Sequence, residues 1–232
     1  MERREFIRFC SAAAAAGAAP SAAATDATPH FYARVKLVDE RGGVLHAGAI
    51  PPHRNLIFRY PYETTPCFLL NLGRAITAPA RLKTADERGY EWKGGVGAGR
   101  SVVAYSAICA HQLAYPTREI SFISYRTERS ARNRHGNVIH CCAEHSQYDP
   151  AAGARVVAGP ARQPLAAILL EYDVPTDELY AVGTLGGEMF EKFFAKYQFR
   201  LGLDHGADSK RSVSGTTVVT ELENYCRQQV KC

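Results

Sequence analysis

Two short segments of this 232-residue chain carry residue types that bind transition metals. Cys109 and His111 are separated by one residue, and Cys142 and His145 are separated by two. A zinc finger usually takes two thiolates from one loop and two imidazoles from another. Here each segment offers one thiolate and one imidazole. This order favours a two-iron cluster in which one iron binds both Cys and the other binds both His.

The elements that must position these segments are mainly strands. The alternating segment from Ser101 to Ile108 predicts a strand that leads directly into Cys109. Further strands are predicted at 32–38, 56–60, 67–72, 121–125, 155–158, 165–172 and 179–182. Aromatic residues along 188–201 indicate an amphipathic helix, and a second helix is predicted from about Thr220 to Val230. The pattern predicts a mostly β fold with a C-terminal helical segment.

Composition narrows the class of protein. Hydrophobic residues make up 46% of the chain and charged residues 22%, as in ordinary globular proteins. The net charge of +5 is small and scattered, and no alternation of basic and aromatic residues accompanies it. Nucleic acid is therefore not an expected partner.

The N-terminus has the pattern of an export signal. Arg3 and Arg4 stand shortly before Phe6-Ile7, as in twin-arginine signals. The Ala-rich stretch from Ser11 to Ala24 suits a signal more than a membrane span. Residues 1–24 are thus predicted to be a twin-arginine signal or an uncleaved anchor, and 25–31 a linker. The mature protein is expected on the periplasmic side, either soluble or anchored to the inner membrane.

Several motifs together resemble the Rieske iron-sulfur protein of cytochrome bc-type complexes. They are Val103–His111, the Cys142 and His145 pair, Ser146-x-Tyr148-Asp149-Pro150, and the loop that contains Gly159, Pro160 and Pro164. The resemblance implies an antiparallel β-sandwich over 32–185, with a smaller cluster-binding subdomain at about 105–165. Residues 186–232 are predicted to be a C-terminal helical extension.

The resemblance also assigns roles in binding a 2Fe-2S cluster. It makes Cys109 and Cys142 the thiolate ligands of the inner iron, and His111 and His145 the imidazole ligands of the outer iron. It implies that Ser146 and Tyr148 donate hydrogen bonds to the cluster and its ligands. It implies that a loop covers the cluster, and this loop contains Gly159, Pro160 and Pro164. No residue is assigned an acid, base or nucleophile role.

The chain departs from the family pattern in its cysteines. Family members carry a disulfide between the two ligand loops, whereas the corresponding positions here are Ala114 and Glu144. A Gly that normally follows the second His is also missing, so Ser146 follows directly. The pairing of Cys67, Cys141, Cys226 and Cys232 is open, with Cys226–Cys232 as one option. His140 and Cys141 are expected to be strand residues that point away from the loop tip.

A basic segment at 126–134 lies between the ligand pairs. Two interpretations remain open for it: a docking surface for an acidic cytochrome, or a solvated loop.

The expected function is one-electron transfer. The resemblance implies a donor such as quinol and an acceptor such as a c-type cytochrome, within a membrane complex of the bc type. A soluble periplasmic Rieske carrier that serves another oxidoreductase is the alternative. A zinc-stabilised binding module is a lesser alternative. A Rieske oxygenase is not expected. Such an enzyme needs a second domain with a 2-His-1-carboxylate iron site, whereas the roughly 59 residues at 174–232 contain a single histidine, His205.

Overall fold

A computed structural model describes residues 26–131 and 134–232. The main element is an eight-stranded sheet in the order β14-β1-β13-β12-β6-β3-β2-β15. Its neighbouring strands are antiparallel except for the parallel pair β1 and β14. The strands of this sheet are β1 (His30–Val38), β2 (Leu56–Arg59), β3 (Pro66–Asn71), β6 (Val102–Ser106), β12 (Ala167–Asp173), β13 (Glu178–Leu185), β14 (Thr216–Val218) and β15 (Thr220–Glu221).

The centre of this sheet is buried on both faces. Phe68 and Leu70 of β3 enter one hydrophobic core, while Cys67 and Leu69 enter the core on the opposite face. Successive side chains of a strand point to opposite faces, so a central strand covered on both sides needs a continuous apolar run. This explains why the apolar segment around 67–72 forms the middle of the sheet.

A smaller sheet covers one of these faces. Its order is β11-β10-β9-β8, and all of its pairs are antiparallel. The strands are β8 (Ile123–Arg126), β9 (Val138–Cys141), β10 (Ser146–Asp149) and β11 (Arg155–Ala158). Tyr148 and Ile139 of this sheet share a core with Tyr105 of the main sheet. The Tyr105 hydroxyl also donates to the backbone oxygen of Pro150 (2.7 Å), which joins the two sheets.

Two small strand pairs complete the β structure. The hairpin of β4 (Ala80–Lys83) and β5 (Gly89–Trp92) packs Leu82 and Trp92 into the shared core. This hairpin was not predicted. In the second pair, β7 (Ile120–Ser121) runs parallel to β16 (Gln228–Gln229).

The C-terminal part contains one substantial helix. Helix α1 (Phe190–His205) confirms the predicted amphipathic helix, and its Phe193 is fully buried. The prediction of a second helix from about Thr220 to Val230 is wrong over most of its length. Only α2 (Leu222–Tyr225) is helical there, and the chain then extends to pair with β7. Edge pairing with another strand outweighs the weak helical pattern of this polar segment.

The structure confirms a mostly β fold with a smaller sheet beside a large one and a C-terminal helix. Within the described residues, none of the helices combines the length and the apolar character that crossing a bilayer requires. The predicted export signal at 1–24 lies outside the described residues.

Candidate metal centre

The first ligand loop follows β6 and turns tightly at Cys109. The backbone N–H of Cys109 donates to Ala114 O (2.8 Å), and that of Leu113 donates to Cys109 O (3.0 Å). Leu113 has a φ of 62° and a buried side chain, so it both makes the turn and fixes it to the core. His111 projects from this turn and is partly exposed. Its Nδ1 atom is buried and has no hydrogen-bond partner among residues 26–131 and 134–232.

The second ligand loop is the turn of the β9–β10 hairpin. Cys141 at the end of β9 pairs with Ser146 at the start of β10, which leaves Cys142 to His145 as the turn. The Cys142 N–H donates to Phe122 O (2.6 Å), and His145 has a left-handed φ of 58°. The Oγ atom of Ser146 is buried and finds no hydrogen-bond partner in the described part of the chain.

Cys109 and Cys141 face each other across these two loops. Both are fully buried, and their thiol groups are within hydrogen-bonding reach of each other. A hydrogen bond from Cys141, together with bonds from Tyr148 and from the backbone N–H groups of His111 and Gln112, lowers the pKa of Cys109 to about 6. The same contact with Cys109 raises the pKa of Cys141. The pair is thus arranged so that one sulfur holds a negative charge and the other donates to it.

Tyr148 is the side-chain hydroxyl among the four donors to Cys109. Its hydroxyl oxygen accepts a hydrogen bond from the N–H of Ala110 (3.1 Å) and lies 3.2 Å from Cys109 Sγ. Because the N–H occupies an acceptor position on the oxygen, the hydroxyl proton is free to point at the sulfur. The prediction that Tyr148 donates to a ligand thiolate therefore agrees with its position beside Cys109.

The structure contradicts the prediction that Cys142 is a thiolate ligand. The Sγ atom of Cys142 is bonded to that of Cys232, with a Cα–Cα distance of 5.7 Å. A sulfur in a disulfide is not a thiolate and cannot serve as the expected ligand. The pairing of Cys226 with Cys232 is also not found, because Cys226 is a buried free thiol whose Sγ donates to Leu222 O.

The predicted covering loop runs directly against the second ligand loop. Gly159 has a φ of 86°, and a Cβ atom there would lie 2.5 Å from both His145 O and Ser146 Cα. Only Gly permits this approach. Pro160 at the tip is exposed and Pro164 at the end is buried. The loop therefore contacts the backbone that carries His145, while its own role toward a cluster stays a prediction.

Another group of potential metal ligands lies on the face of β9 opposite Cys141. The donor atoms of His140, His145 and Cys232 all lie within 4.8 Å of one another. Burial, with the nearby His145 and Arg126, lowers the pKa of His140 to about 4, so its imidazole is neutral at pH 7. The sulfur of Cys232 is committed to the disulfide, which leaves only two imidazoles. This group therefore does not form a closed four-ligand zinc site.

Part of the basic segment at 126–134 has a structural role. The guanidinium of Arg126 is half-buried and donates to Val230 O, and the hydroxyl of Ser130 donates to Cys232 O (3.0 Å). These contacts hold the C-terminal tail, which we define as residues 226–232. Arg129 and Arg134 are exposed. Arg132 lies outside the described residues, and the docking interpretation of the segment remains a prediction.

The residues present fit a mixed-ligand iron-sulfur cluster. Such a cluster requires two thiolates on one iron and two imidazoles on the other. Cys109 and Cys141 lie together, and His111 and His145 lie in the turns that follow them. A buried imidazole nitrogen on His111 and a buried hydroxyl on Ser146 have no partner in the described residues. Buried polar groups normally have a hydrogen-bond partner, so their lack of one is consistent with a bound group.

Comparison with solved structures shows a resemblance. No family model matches the chain. The crystal structure of the soluble domain of the Rieske protein II (soxF) from Sulfolobus acidocaldarius is similar to it, with 27% sequence identity and a TM-score of 0.46. The similarity covers 66% of this chain and 78% of the other.

Sequence reasoning missed two cysteines at this site, Cys141 and Cys232. The signal for Cys141 was available in the strand pattern, because consecutive residues of β9 alternate between faces. Cys232 gave no such signal. Its place beside Cys142 depends on the path of the tail along β7, which local sequence does not reveal.

Proposed function

We propose that this protein transfers single electrons by means of a Rieske-type 2Fe-2S cluster. The observation that carries the proposal is the convergence of two Cys-His turns on one buried pair of thiols. Cys109 in the first ligand loop provides one thiolate, and a free cysteine of the second ligand loop provides the other. His111 and His145 provide the imidazoles. When bound, such a cluster supplies reversible one-electron transfer at potentials of about −150 to +300 mV.

The protein's own groups would set the potential in three ways. Neutral imidazoles on His111 and His145 leave the site less negative than four thiolates would, which favours acceptance of an electron. The Tyr148 hydroxyl donates toward Cys109, and the Ser146 hydroxyl is available to donate toward a cluster sulfide. Both bonds become stronger as negative charge increases, so they stabilise the reduced state.

The exposure of the ligand residues indicates the side at which a redox partner approaches. The thiols of Cys109 and Cys141 are buried, whereas His111 and His145 are partly exposed. An external donor or acceptor would therefore approach at the imidazole side. A quinol gives up protons with its electrons, and an exposed His can accept one of them. The exposed imidazoles support a quinol donor. The c-type cytochrome acceptor, the complex of the bc type and export by the twin-arginine signal are proposed from the sequence motifs alone.

A soluble periplasmic carrier is the second candidate. The weakly apolar stretch at 11–24 favours it, because a stable membrane anchor needs about 20 mostly apolar residues. Mass spectrometry of the mature N-terminus in the native host separates the two. Retention of residues 1–24 in the membrane fraction supports the complex, and cleavage near 21–24 with recovery from the periplasm supports the carrier.

The proposal is tested on the purified, anaerobically prepared protein. Iron and labile sulfide in equal amounts, with a redox-titrated EPR signal typical of mixed Cys and His ligation, are expected. The Cys109→Ser variant is expected to fold without the signal. Zinc without labile sulfide would contradict the proposal and would favour the zinc-stabilised module. A midpoint potential that does not change from neutral to alkaline pH would argue against proton uptake by the imidazoles and thus against a quinol donor.

A further inference from the structure

Two adjacent cysteines in the second ligand loop have different partners. Resting on the proposed function, we infer that Cys141, and not Cys142, supplies the second thiolate to the cluster. We further infer that Cys142 instead anchors the C-terminal tail to the ligand loop through Cys232. The ligand spacing then becomes Cys-x-x-x-His, with three residues between Cys141 and His145.

Strand geometry separates the two side chains. Cys141 is the last residue of β9, and side chains alternate between the faces of a strand. Cys141 points into the core toward Cys109 and has no exposed surface. His140 precedes it and Cys142 follows it, and both point to the opposite side. There Cys232 Sγ lies 3.5 Å from the ring nitrogens of His140 and is bonded to Cys142.

Cys109 and Cys141 accept backbone hydrogen bonds from equivalent positions of their loops. The sulfur of Cys109 accepts hydrogen bonds from the N–H groups of His111 and Gln112. The sulfur of Cys141 accepts them from the N–H groups of Ala143 and Glu144. In both loops the donors are therefore the second and third residues after the cysteine. N–H groups arranged in this way stabilise a negatively charged sulfur, which is the form that binds metal.

The tail is held beside Cys142 by contacts that do not depend on the disulfide. Strand β16 pairs with β7, and the Val230 N–H donates to Ser121 O (2.9 Å). Arg126 donates to Val230 O, and Ser130 donates to Cys232 O. These bonds place the last residues of the chain next to Cys142. The disulfide thus connects two segments whose positions are already fixed, and Cys142 is oriented away from the space between the ligand loops.

The inference is tested by single serine variants of the full-length, cluster-loaded protein. Cys141→Ser is expected to lose at least about tenfold in iron and labile sulfide while a Cys142–Cys232 cross-link persists. Cys142→Ser and Cys232→Ser are expected to keep the cluster and its EPR signal and to lose the cross-link. Peptide mapping by mass spectrometry without reduction detects the cross-link. Cys67→Ser is the matched control, because Cys67 is a buried free thiol in the core on the opposite face of the large sheet. This variant is expected to keep the cluster and the Cys142–Cys232 cross-link.

The outcomes distinguish this inference from the proposed function. A wild-type protein without iron and labile sulfide contradicts the proposed function itself. If the wild type contains the cluster and the Cys141→Ser variant contains it too, the inference is overturned. The inference is also overturned if only Cys142→Ser loses the cluster while Cys232→Ser retains it, since Cys142 is then the ligand. If Cys142→Ser and Cys232→Ser both lose the cluster, peptide mapping of the cluster-loaded wild type separates the explanations. A cross-link between Cys142 and Cys232 supports the inference, and a free Cys232 thiol overturns it. Far-UV circular dichroism establishes that each variant is folded.

Discussion

The hydroxyl oxygen of Tyr148 lies 3.2 Å from the sulfur of Cys109 and accepts a hydrogen bond from the N–H of Ala110. Tyr148 belongs to the small sheet, whereas Cys109 follows a strand of the large sheet. The contact therefore joins the two sheets at the candidate centre and fixes the direction in which the hydroxyl proton points.

Tyr148→Phe is expected to lower the midpoint potential of the cluster. The variant removes a donor to Cys109 while it keeps the ring that fills the core, so the reduced state loses a hydrogen bond. A differential loss of about 1 kcal/mol corresponds to a decrease of about 40 mV for a one-electron couple. EPR-monitored redox titration measures it. Tyr125→Phe is a suitable control, because the Tyr125 hydroxyl bonds to Asn137 and not to a cysteine; an equal decrease in both variants would contradict the role of Tyr148.

Ser146→Ala is expected to stabilise the cluster-free protein and to lower the midpoint potential of the cluster-loaded protein. In the cluster-free form the buried Ser146 hydroxyl has no partner among the described residues, so its removal raises the free energy of unfolding by about 1 kcal/mol. In the loaded form the variant loses a donor, and the midpoint potential decreases. Chemical denaturation of the cluster-free protein and redox titration of the loaded one measure these effects. An unchanged potential would mean that Ser146 does not contact the cluster.

Gly159→Ala is expected to displace the second ligand loop. The new Cβ would overlap the backbone of His145 and Ser146, so cluster content decreases and the protein is destabilised by roughly 1–3 kcal/mol. Gly215→Ala is the matched control. Gly215 also has a positive φ, of 71°, but a Cβ there meets nothing within 4 Å. Iron analysis and thermal unfolding of both variants separate steric overlap from backbone strain, and equal losses would contradict the predicted overlap.

Phe193→Ala is expected to destabilise the protein by about 3–5 kcal/mol. Phe193 is fully buried in a core with Ile108 and Leu113, which flank the first ligand pair. Its ring meets Tyr115 edge to face, with 4.9 Å between centroids. Phe199 on the same helix is 82% exposed, so Phe199→Ala is expected to change stability by at most about 0.5 kcal/mol. Urea unfolding of both variants tests whether α1 supports the first ligand loop.

Glu188→Gln is expected to change the pH dependence of stability. Burial raises the pKa of Glu188 above its ordinary value of 4.5. Between the pKa of Glu188 in the unfolded chain and its higher pKa in the folded protein, only the unfolded chain has released the proton. The wild type therefore loses stability relative to the variant as pH rises through this range. Unfolding free energies measured from pH 4 to 7 are expected to favour the variant increasingly with pH. A constant difference between the two proteins would contradict this role of Glu188.

Much of the fold follows from local sequence patterns. The alternating and continuous apolar segments predicted most of the large sheet, and the aromatic segment predicted α1. The β4–β5 hairpin was missed because its short strands are stabilised by packing of Leu82 and Trp92 into a core formed by distant segments. The tail was wrongly predicted to be helical, because its conformation is set by pairing with β7 rather than by its own propensity.

In the candidate site, too, some features were predictable from sequence motifs and others depend on the tertiary structure. The two Cys-His pairs and Tyr148 were visible as motifs, and the Tyr148 hydroxyl lies beside Cys109 Sγ. Spacing alone selected Cys142, whereas the end of β9 places Cys141 beside Cys109. Sequence spacing counts residues and does not register the face on which each side chain lies, and the partner of Cys142 is 90 residues away.

The Cys142–Cys232 bond makes a closed covalent ring of the last part of the chain, with a sequence separation of 90 residues. This ring contains His145, Tyr148, the loop at Gly159 and the whole of α1, but not Cys109 or His111. A single cut of the backbone inside the ring would release no fragment until the disulfide is reduced. The two halves of the candidate centre therefore differ in their resistance to proteolysis: cleavage beyond Cys142 leaves the second half attached, whereas cleavage between Cys109 and Cys142 divides the protein.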